Sequence, residues 1–261
     1  MKKWEQRRNL LMDELSAKGR LSIGQIQDLL QISESTARRM IIELEQDHLV
    51  IRRFGGIQKI EASSPHYSYQ LSRDEHASEK EKIGQFAARL VEDNDTVFLS
   101  GGSTIKYLAL ALKNRILQKD LHNVSIVTNS LVSAQALSDC TDIIMPGGIY
   151  REDLQVLDGS LTERNLRGMC FSKAFFGVVA IDEAEGFMTA DIATNSIHEL
   201  VFSRASSFYV LADSSKFNRH SFISYAPLSA AAAVITDKRL DVSVKNAYEA
   251  QGTAIQIAAE D

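Results

Sequence analysis

Ile32-Ser-Glu-Ser-Thr-Ala-Arg-Arg-Met-Ile-Ile-Glu-Leu-Glu45, running on to Ile51-Arg-Arg-Phe-Gly-Gly56, is the stretch that decides how this chain folds. Ser33 is of the type that caps helices, since its hydroxyl can accept from an orphan amide of the first turn. Behind it Ala37, Met40, Ile41 and Leu44 recur at helical spacing and make one apolar stripe. Ser33, Glu34, Ser35, Thr36, Arg38 and Arg39 form the polar front. A short polar front with two arginines suits a DNA major groove, where a guanidinium can pair bidentately with a base edge. Arg52 and Arg53 precede Gly55-Gly56, a turn signal that predicts a basic β-hairpin able to hold the phosphate backbone. Helix plus hairpin reads as a winged helix-turn-helix. An ordinary amphipathic helix with a solvated charged face fits the same spacing, so the surrounding sequence has to decide.

The flanks supply the rest of such a domain. Trp4, Leu10, Leu11 and Leu15 predict a first helix over 4–17 that stops near Gly19. Ser22-Ile-Gly-Gln25 has the form of a capping box. The helix it opens carries Ile26, Leu29 and Leu30 inward and ends at Gln31, and Ile32 plugs the short turn to Ser33. His48 to Phe54 is β-rich, and Ile57-Gln-Lys-Ile60 follows the glycines. Residues 1–60 are therefore expected to be one DNA-binding domain. Residues 61–78 read as a linker, broken at Ala62-Ser-Ser-Pro65 and anchored by Tyr67 and Tyr69.

Charge supports the division. The 261 residues carry a net −5, which taken whole argues against nucleic acid. Residues 1–60 hold 11 Lys and Arg against 8 Asp and Glu, a local +3, while the remainder carries −8. Phosphate contacts need only a local basic surface. With 44% hydrophobic residues and 3 prolines the chain can bury a full core. No apolar run reaches membrane length, and the N-terminus lacks the apolar core of a signal peptide. Cys140 and Cys170 show no metal or redox spacing and the six histidines are scattered, so a reduced cytoplasmic setting without a metal is expected.

The motif of residues 32–39, with Leu44-Glu45, Leu49 and Arg53-Phe-Gly-Gly56, resembles the N-terminal signature of the DeoR family of bacterial transcriptional regulators. The family pattern usually has Ile before the arginines and Asp-Leu after them. Ala37 and Met40-Ile41 stand in those places and keep the buried stripe apolar or small.

From Glu79 onward helix and strand patterns alternate. Ile83, Phe86, Ala87 and Leu90 mark an inward helix face. Strands are predicted at 96–99, 124–127, 143–145, 174–181, 208–211, 232–237 and 254–258, with helices at 107–112 and 131–137 among them. Such alternation over 79–261 predicts an α/β domain on a mostly parallel, doubly wound sheet. Ligands in open α/β sheets sit at the carboxyl ends of strands. There Ser100-Gly-Gly-Ser-Thr104 offers two glycines that admit an anion to backbone amides, two hydroxyl donors and a following helix N-terminus. It is neither a P-loop nor a dinucleotide fingerprint. A phosphate-sized anion suits it, and a plain strand-to-helix turn is the alternative. Thr128-Asn-Ser130, Gly147-Gly148 and Lys216 close similar loops.

Phe98 to Thr104, Val127-Thr-Asn-Ser-Leu131, Pro146-Gly-Gly148 and Leu211-Ala-Asp-Ser-Ser-Lys-Phe217 look like successive motifs of the DeoR effector domain, which is similar in fold to ribose-5-phosphate isomerase. The resemblance implies a bound phosphorylated sugar as inducer or co-repressor and no cofactor. Ser100, Gly101, Gly102, Ser103 and Thr104 would hold its phosphate, Thr128, Asn129, Ser130, Gly147 and Gly148 would line the cleft, and Lys216 would meet a sugar oxygen or the phosphate. Double-stranded operator DNA is the implied partner, and reading a symmetric operator implies a homo-dimer or homo-tetramer. The expected function is repression of a sugar-metabolism operon under the control of that sugar phosphate. The rival is a sugar-phosphate isomerase or aminosugar-phosphate deaminase with a DNA-binding-like extension, for which Asp182 and Asp213 would be the candidate bases. A DNA-architecture protein is a weaker reading, opposed by the acidic second part. Family members commonly carry Glu and Lys four residues apart before the Asp213 strand, and Thr194 and His198 stand there instead. A neutral Thr is no base, His198 is expected to be a helix-surface histidine without a role, and the ligand is expected to differ from the usual ones or to bind weakly.

Overall fold

The computed structural model describes residues 2–47, 49–53, 55–59, 69, 72 and 75–259, with the side chains of Lys2, Lys3 and Arg53 left out. His48, Phe54, Ile60 and most of the expected linker, Tyr67 included, lie outside the described residues.

The N-terminal part runs α1 (Lys2–Lys18), β1 (Arg20–Ser22), α2 (Ile23–Leu30), α3 (Glu34–Gln46), β2 (Val50–Arg53) and β3 (Gly56–Lys59). The capping box closes as expected: Ser22 Oγ accepts from the Gln25 N–H at 3.2 Å, and Gln25 Oε1 accepts from the Ser22 N–H at 2.8 Å. α2 ends at Gln31 in a left-handed conformation, φ 49°. Ala37, Met40, Ile41 and Leu44 of α3 join Leu11 and Leu15 of α1, Ile26 and Leu30 of α2, and Val50 and Ile57 of the wing in one apolar cluster. Each fully buried Leu, Ile or Met gains roughly 1.5–3 kcal/mol, so this stripe rather than helix propensity holds α3 in place. The wing has a strand that the sequence reading missed. β1 pairs antiparallel with β3, setting Leu21 opposite Ile57. Gly56 serves this pairing: a Cβ there would stand 2.1 Å from the Leu21 carbonyl oxygen.

The second part contains α4 (Ala77–Ala88), β4 (Thr96–Leu99), α5 (Ser103–Leu117), β5 (Ser125–Thr128), α6 (Leu131–Leu137), β6 (Ile143–Ile144), β7 (Ile149–Arg151), β8 (Val156–Asp158), α7 (Ser160–Leu166), β9 (Phe171–Gly177), β10 (Ala180–Asp182), β11 (Gly186–Thr189), α8 (Ile192–Phe202), β12 (Ala205–Leu211), β13 (Ile223–Ala226), β14 (Ala233–Asp237), α9 (Val242–Ala250) and β15 (Ile255–Ala258). Seven strands form the main sheet in the order β15-β14-β12-β9-β4-β5-β6, paired parallel throughout. Successive residues of these strands feed opposite faces. Phe98, Phe176, Val210 and Val234 enter one core, while Val97, Leu99, Phe175, Leu211 and Ile235 enter the other. Burial on both faces is why the strands read as continuous apolar runs.

One strand expectation is corrected. The run 174–181 is not a single strand: β9 leaves the main sheet at Gly177, and β10 pairs antiparallel with β11 in a separate sheet, β10-β11-β13. The break falls where the chain is crowded, since a Cβ on Gly177 would stand 3.2 Å from the Gly101 carbonyl oxygen. α4 begins at Ala77, two residues before the expected boundary. The β7–β8 hairpin, α7, β11 and β13 were not foreseen.

Candidate functional site

From β4 the strand order grows one way to β5 and β6, and the other way to β9. The loops after β4 and β9 therefore part at the switch point, where such sheets open a crevice. Gly101 to Thr104 and Gly177 to Val179 line that cleft. Ser100 ties the two loops together: its Oγ accepts from the Gly177 N–H and donates to the Gly101 carbonyl, each at 3.1 Å. Gly101 has no room for a side chain, because a Cβ would lie 2.5 Å from Val156 Cγ1. Gly102, at φ 125°, stands at the cap of α5 with no side chain accepting from the first turn. The amides of that turn keep their capacity for an anion, beside the cleft-lining Ser103 and Thr104.

Of the residues expected around the ligand, Gly101, Gly102, Ser103, Thr104, Asn129 and Lys216 meet in this cleft. Five others are engaged elsewhere and do not line it. Ser100 is the loop tie just described. Thr128 Oγ1 donates to the Leu99 carbonyl at 2.7 Å and accepts from the Ser130 N–H at 3.0 Å. Ser130 Oγ caps α6, accepting from the Ser133 N–H at 3.2 Å. The Gly147 carbonyl accepts from Thr162 Oγ1 at 2.6 Å, and a Cβ on Gly148 would stand 2.0 Å from that same oxygen.

The cleft also holds residues that sequence reasoning passed over. Lys80 of α4 is 1% exposed, and its Nζ donates to the carbonyls of Ser72 and Glu75. The signal was present, since Lys80 stands three residues before Ile83 and seven before Ala87 on the buried stripe. Tyr69, from the expected linker, lines the cleft and donates its N–H to the Asp153 carbonyl at 2.8 Å. Arg151 gathers Asp153 at 3.2 Å, Asp158 at 3.3 Å and Asp191 at 3.6 Å. Burial works against the guanidinium charge, yet the three carboxylates hold its pKa above the ordinary value. Burial, aided by Asp191 and Asp153, raises Asp158 despite Arg151. Asp191 also caps α8, accepting from the Thr194 N–H at 2.8 Å.

The expectation for His198 is corrected too. It is not a surface residue: it is 5% exposed, lines the cleft, and packs edge-on against Phe176 and Tyr225 with ring centroids 4.8 Å away in each case. Burial pushes its pKa down to about 3, so the imidazole is neutral at physiological pH. The face of α8 that buries Ile197 and Val201 carries it inward. Neither strand-end aspartate lines the cleft. Asp182 Oδ1 accepts from the amides of Ala184 and Glu185 in the turn after β10, and Asp213 caps the short helix Ser214–Lys216.

In the N-terminal domain Ser33, Glu34, Ser35, Arg38 and Arg39 of the polar front are solvent-exposed, and Thr36 is half-buried. Ser33 Oγ caps the helix and shares hydrogen bonds with the hydroxyls of Ser35 and Thr36 at 3.0 and 2.9 Å. Arg38 pairs with Glu34 at 2.6 Å one turn earlier, and Arg39 beside it is exposed. Arg52 of the wing lies 3.5 Å from Glu45 of α3. The Arg53 side chain lies outside the described residues.

Known proteins match both parts. The DeoR-like helix-turn-helix domain model matches residues 7–63, and the DeoR C terminal sensor domain model matches residues 75–238. The lactose phosphotransferase system repressor of Lactococcus lactis subsp. lactis is 33% identical over 233 residues, 88% of this chain and 89% of that protein. The HTH-type transcriptional repressor GlcR of Bacillus subtilis (strain 168) is 30% identical over 259 residues, 98% of this chain and 97% of that protein. A solved ribose 5-phosphate isomerase A from Methanocaldococcus jannaschii superposes over 53% of each chain at 21% identity and a TM-score of 0.40, too partial a likeness to bear on function. A helix-turn-helix with an exposed polar front, followed by a sensor domain whose sheet opens a cleft at its switch point, places this chain in the DeoR family of transcriptional regulators.

Proposed function

We propose that this regulator represses a sugar-metabolism operon and that a phosphorylated sugar in the switch-point cleft sets its affinity for operator DNA. The observation that carries the proposal is the α5 N-terminus, where Gly102 leaves the first-turn amides uncapped beside the Ser103 and Thr104 side chains. Lys216 adds a cation to the same lining. Ser33, Glu34, Ser35, Thr36, Arg38 and Arg39 meet the major groove, while Arg52 and Arg53 hold the phosphate backbone. Control follows from linkage: an effector that prefers one arrangement of the protein shifts DNA affinity by the ratio of its affinities for the two. The acting form is a homo-dimer or homo-tetramer in the cytoplasm, since a symmetric operator calls for a symmetric reader. The working division is a DNA-binding domain at 1–60, a linker at 61–78 and a sensor at 79–261, with Tyr69 and Lys80 closing the sensor's cleft.

The chain turns over no sugar phosphate. The cleft carboxylates Asp153 and Asp191 are engaged with Arg151, Thr194 is no base, and His198 holds a proton too weakly to shuttle one at neutral pH. Thermal melts of the full chain against a panel of sugar phosphates test the reading. At least one should raise the melting temperature and none should be converted. A panel without any shift, or robust isomerase or deaminase turnover, would overturn it.

A further inference from the structure

Two buried polar atoms on cleft-lining side chains have no hydrogen-bond partner among the described residues. Asn129 Nδ2 donates to the Leu157 carbonyl at 3.1 Å, which fixes the amide and leaves Oδ1 unpartnered. His198 Nδ1 is unpartnered as well. Both side chains line the cleft and both are 5% exposed. A buried polar atom left unpaired costs about 1–3 kcal/mol, so two such atoms on side chains that line one cleft leave hydrogen-bonding capacity for a ligand there.

We infer that Asn129 and His198 read a hydroxyl of the effector, so that the cleft selects an uncharged sugar moiety over one carrying a carboxylate there. The inference rests on the sugar-phosphate reading of the same cleft and adds which part of the ligand decides specificity. Asn129 Oδ1 can only accept, whereas a neutral imidazole nitrogen donates or accepts according to its tautomer. A hydroxyl, donor and acceptor at once, satisfies both. A carboxylate has no proton for Asn129 Oδ1, and His198 cannot charge to meet it between Phe176 and Tyr225. Sites built to hydrogen-bond a substrate group discriminate more sharply than apolar ones, because a mismatch leaves their buried atoms unpaired.

The test uses the full chain in thermal melts with inorganic phosphate, ribose 5-phosphate, fructose 6-phosphate, glucose 6-phosphate, galactose 6-phosphate and 6-phosphogluconate. His198→Phe keeps an aromatic ring in the box without a nitrogen, and His198→Gln restores a neutral hydrogen-bonding group. The neutral sugar phosphate that best stabilises the wild type should bind His198→Phe about tenfold or more weakly, with part of the loss recovered in His198→Gln. Inorganic phosphate should act alike on all three, and 6-phosphogluconate should bind more weakly than glucose 6-phosphate. Wild-type affinity for sugar phosphates in His198→Phe, or 6-phosphogluconate binding as well as glucose 6-phosphate, would overturn the inference and leave the effector reading intact. Loss of the phosphate and sugar responses together would also overturn it, by marking His198 as structural. If no compound shifts the wild type, both readings fall. Should His198→Phe not fold, Asn129→Ser carries the same comparison.

Discussion

Gly102→Ala and Thr104→Ala strike one anion site by different physical routes, which makes the pair diagnostic. Gly102 sits at φ 125° and ψ 155°, a region essentially closed to residues with a Cβ. The added methyl would meet nothing nearer than Gly177 Cα at 3.9 Å, so backbone strain is the whole cost. That strain is about 1–3 kcal/mol. At roughly 2–4 °C per kcal/mol for a chain of this size, the unliganded melting temperature should fall by about 2–12 °C. Relief of the strain would rotate the first-turn amides of α5 away from the anion. Thr104, 7% exposed and in the α region, tolerates alanine with little change in fold. What it loses is a hydrogen bond to a charged phosphate, worth about 1.5–3 kcal/mol, or about 10- to 150-fold in effector affinity. Melts with and without a stabilising sugar phosphate read both quantities. An unshifted Gly102→Ala melt would refute the strain argument, and a wild-type effector response in Thr104→Ala would refute the anion site.

Arg38→Ala and Arg39→Ala should each weaken operator binding by about 1–3 kcal/mol in a fluorescence titration; no change in either would refute the groove assignment. Glu34→Gln releases Arg38 from its 2.6 Å partner and removes a negative charge from the groove side, so tighter, more salt-sensitive DNA binding is expected in the same titration. Stability should fall in acid through His198. Its folded pKa of about 3 lies below the ordinary 6.5, so its contribution is complete above 6.5 and drains at about 1.4 kcal/mol per pH unit as pH falls toward 3. Denaturation of His198→Gln across that range should show a flatter acid limb; an unchanged limb would contradict the burial argument. Leu44→Ala, at a site with no exposure, should cost the DNA-binding domain about 2–5 kcal/mol and abolish operator binding, as circular dichroism melts and the DNA titration would show.

Much of the N-terminal domain was legible because its signals are local. Ser22 with Gln25, Ser33 with Thr36, and the stripe from Ala37 to Leu44 declare themselves within one turn or two. β1 did not, since three residues carry no periodicity and its partner β3 lies over thirty positions away. In the second part the parallel strands stood out as apolar runs, but the run ending at Ile181 concealed a change of sheet at Gly177. Loop composition proved a coarse guide to the site. Thr104, in the first turn of α5, and Thr128, the last residue of β5, both lie in small, hydroxyl-rich stretches at strand ends, yet one lines the cleft and the other closes onto the Leu99 carbonyl. Gly101-Gly102 precedes Thr104 and has no counterpart before Thr128, a local difference that the geometry of the neighbouring loop turns into a cleft. His198 and Lys80 were readable in principle, each being a polar residue at a stripe position of its helix.

The most direct test of the account is operator affinity of the full chain, on a site selected from genomic fragments, measured with and without the sugar phosphate that most raises its melting temperature. A regulator governed from this cleft should change DNA affinity by about 5- to 150-fold on adding that compound, and Thr104→Ala should lose the change while binding DNA normally. Equal DNA affinity with and without the bound compound would contradict the coupling on which the account stands.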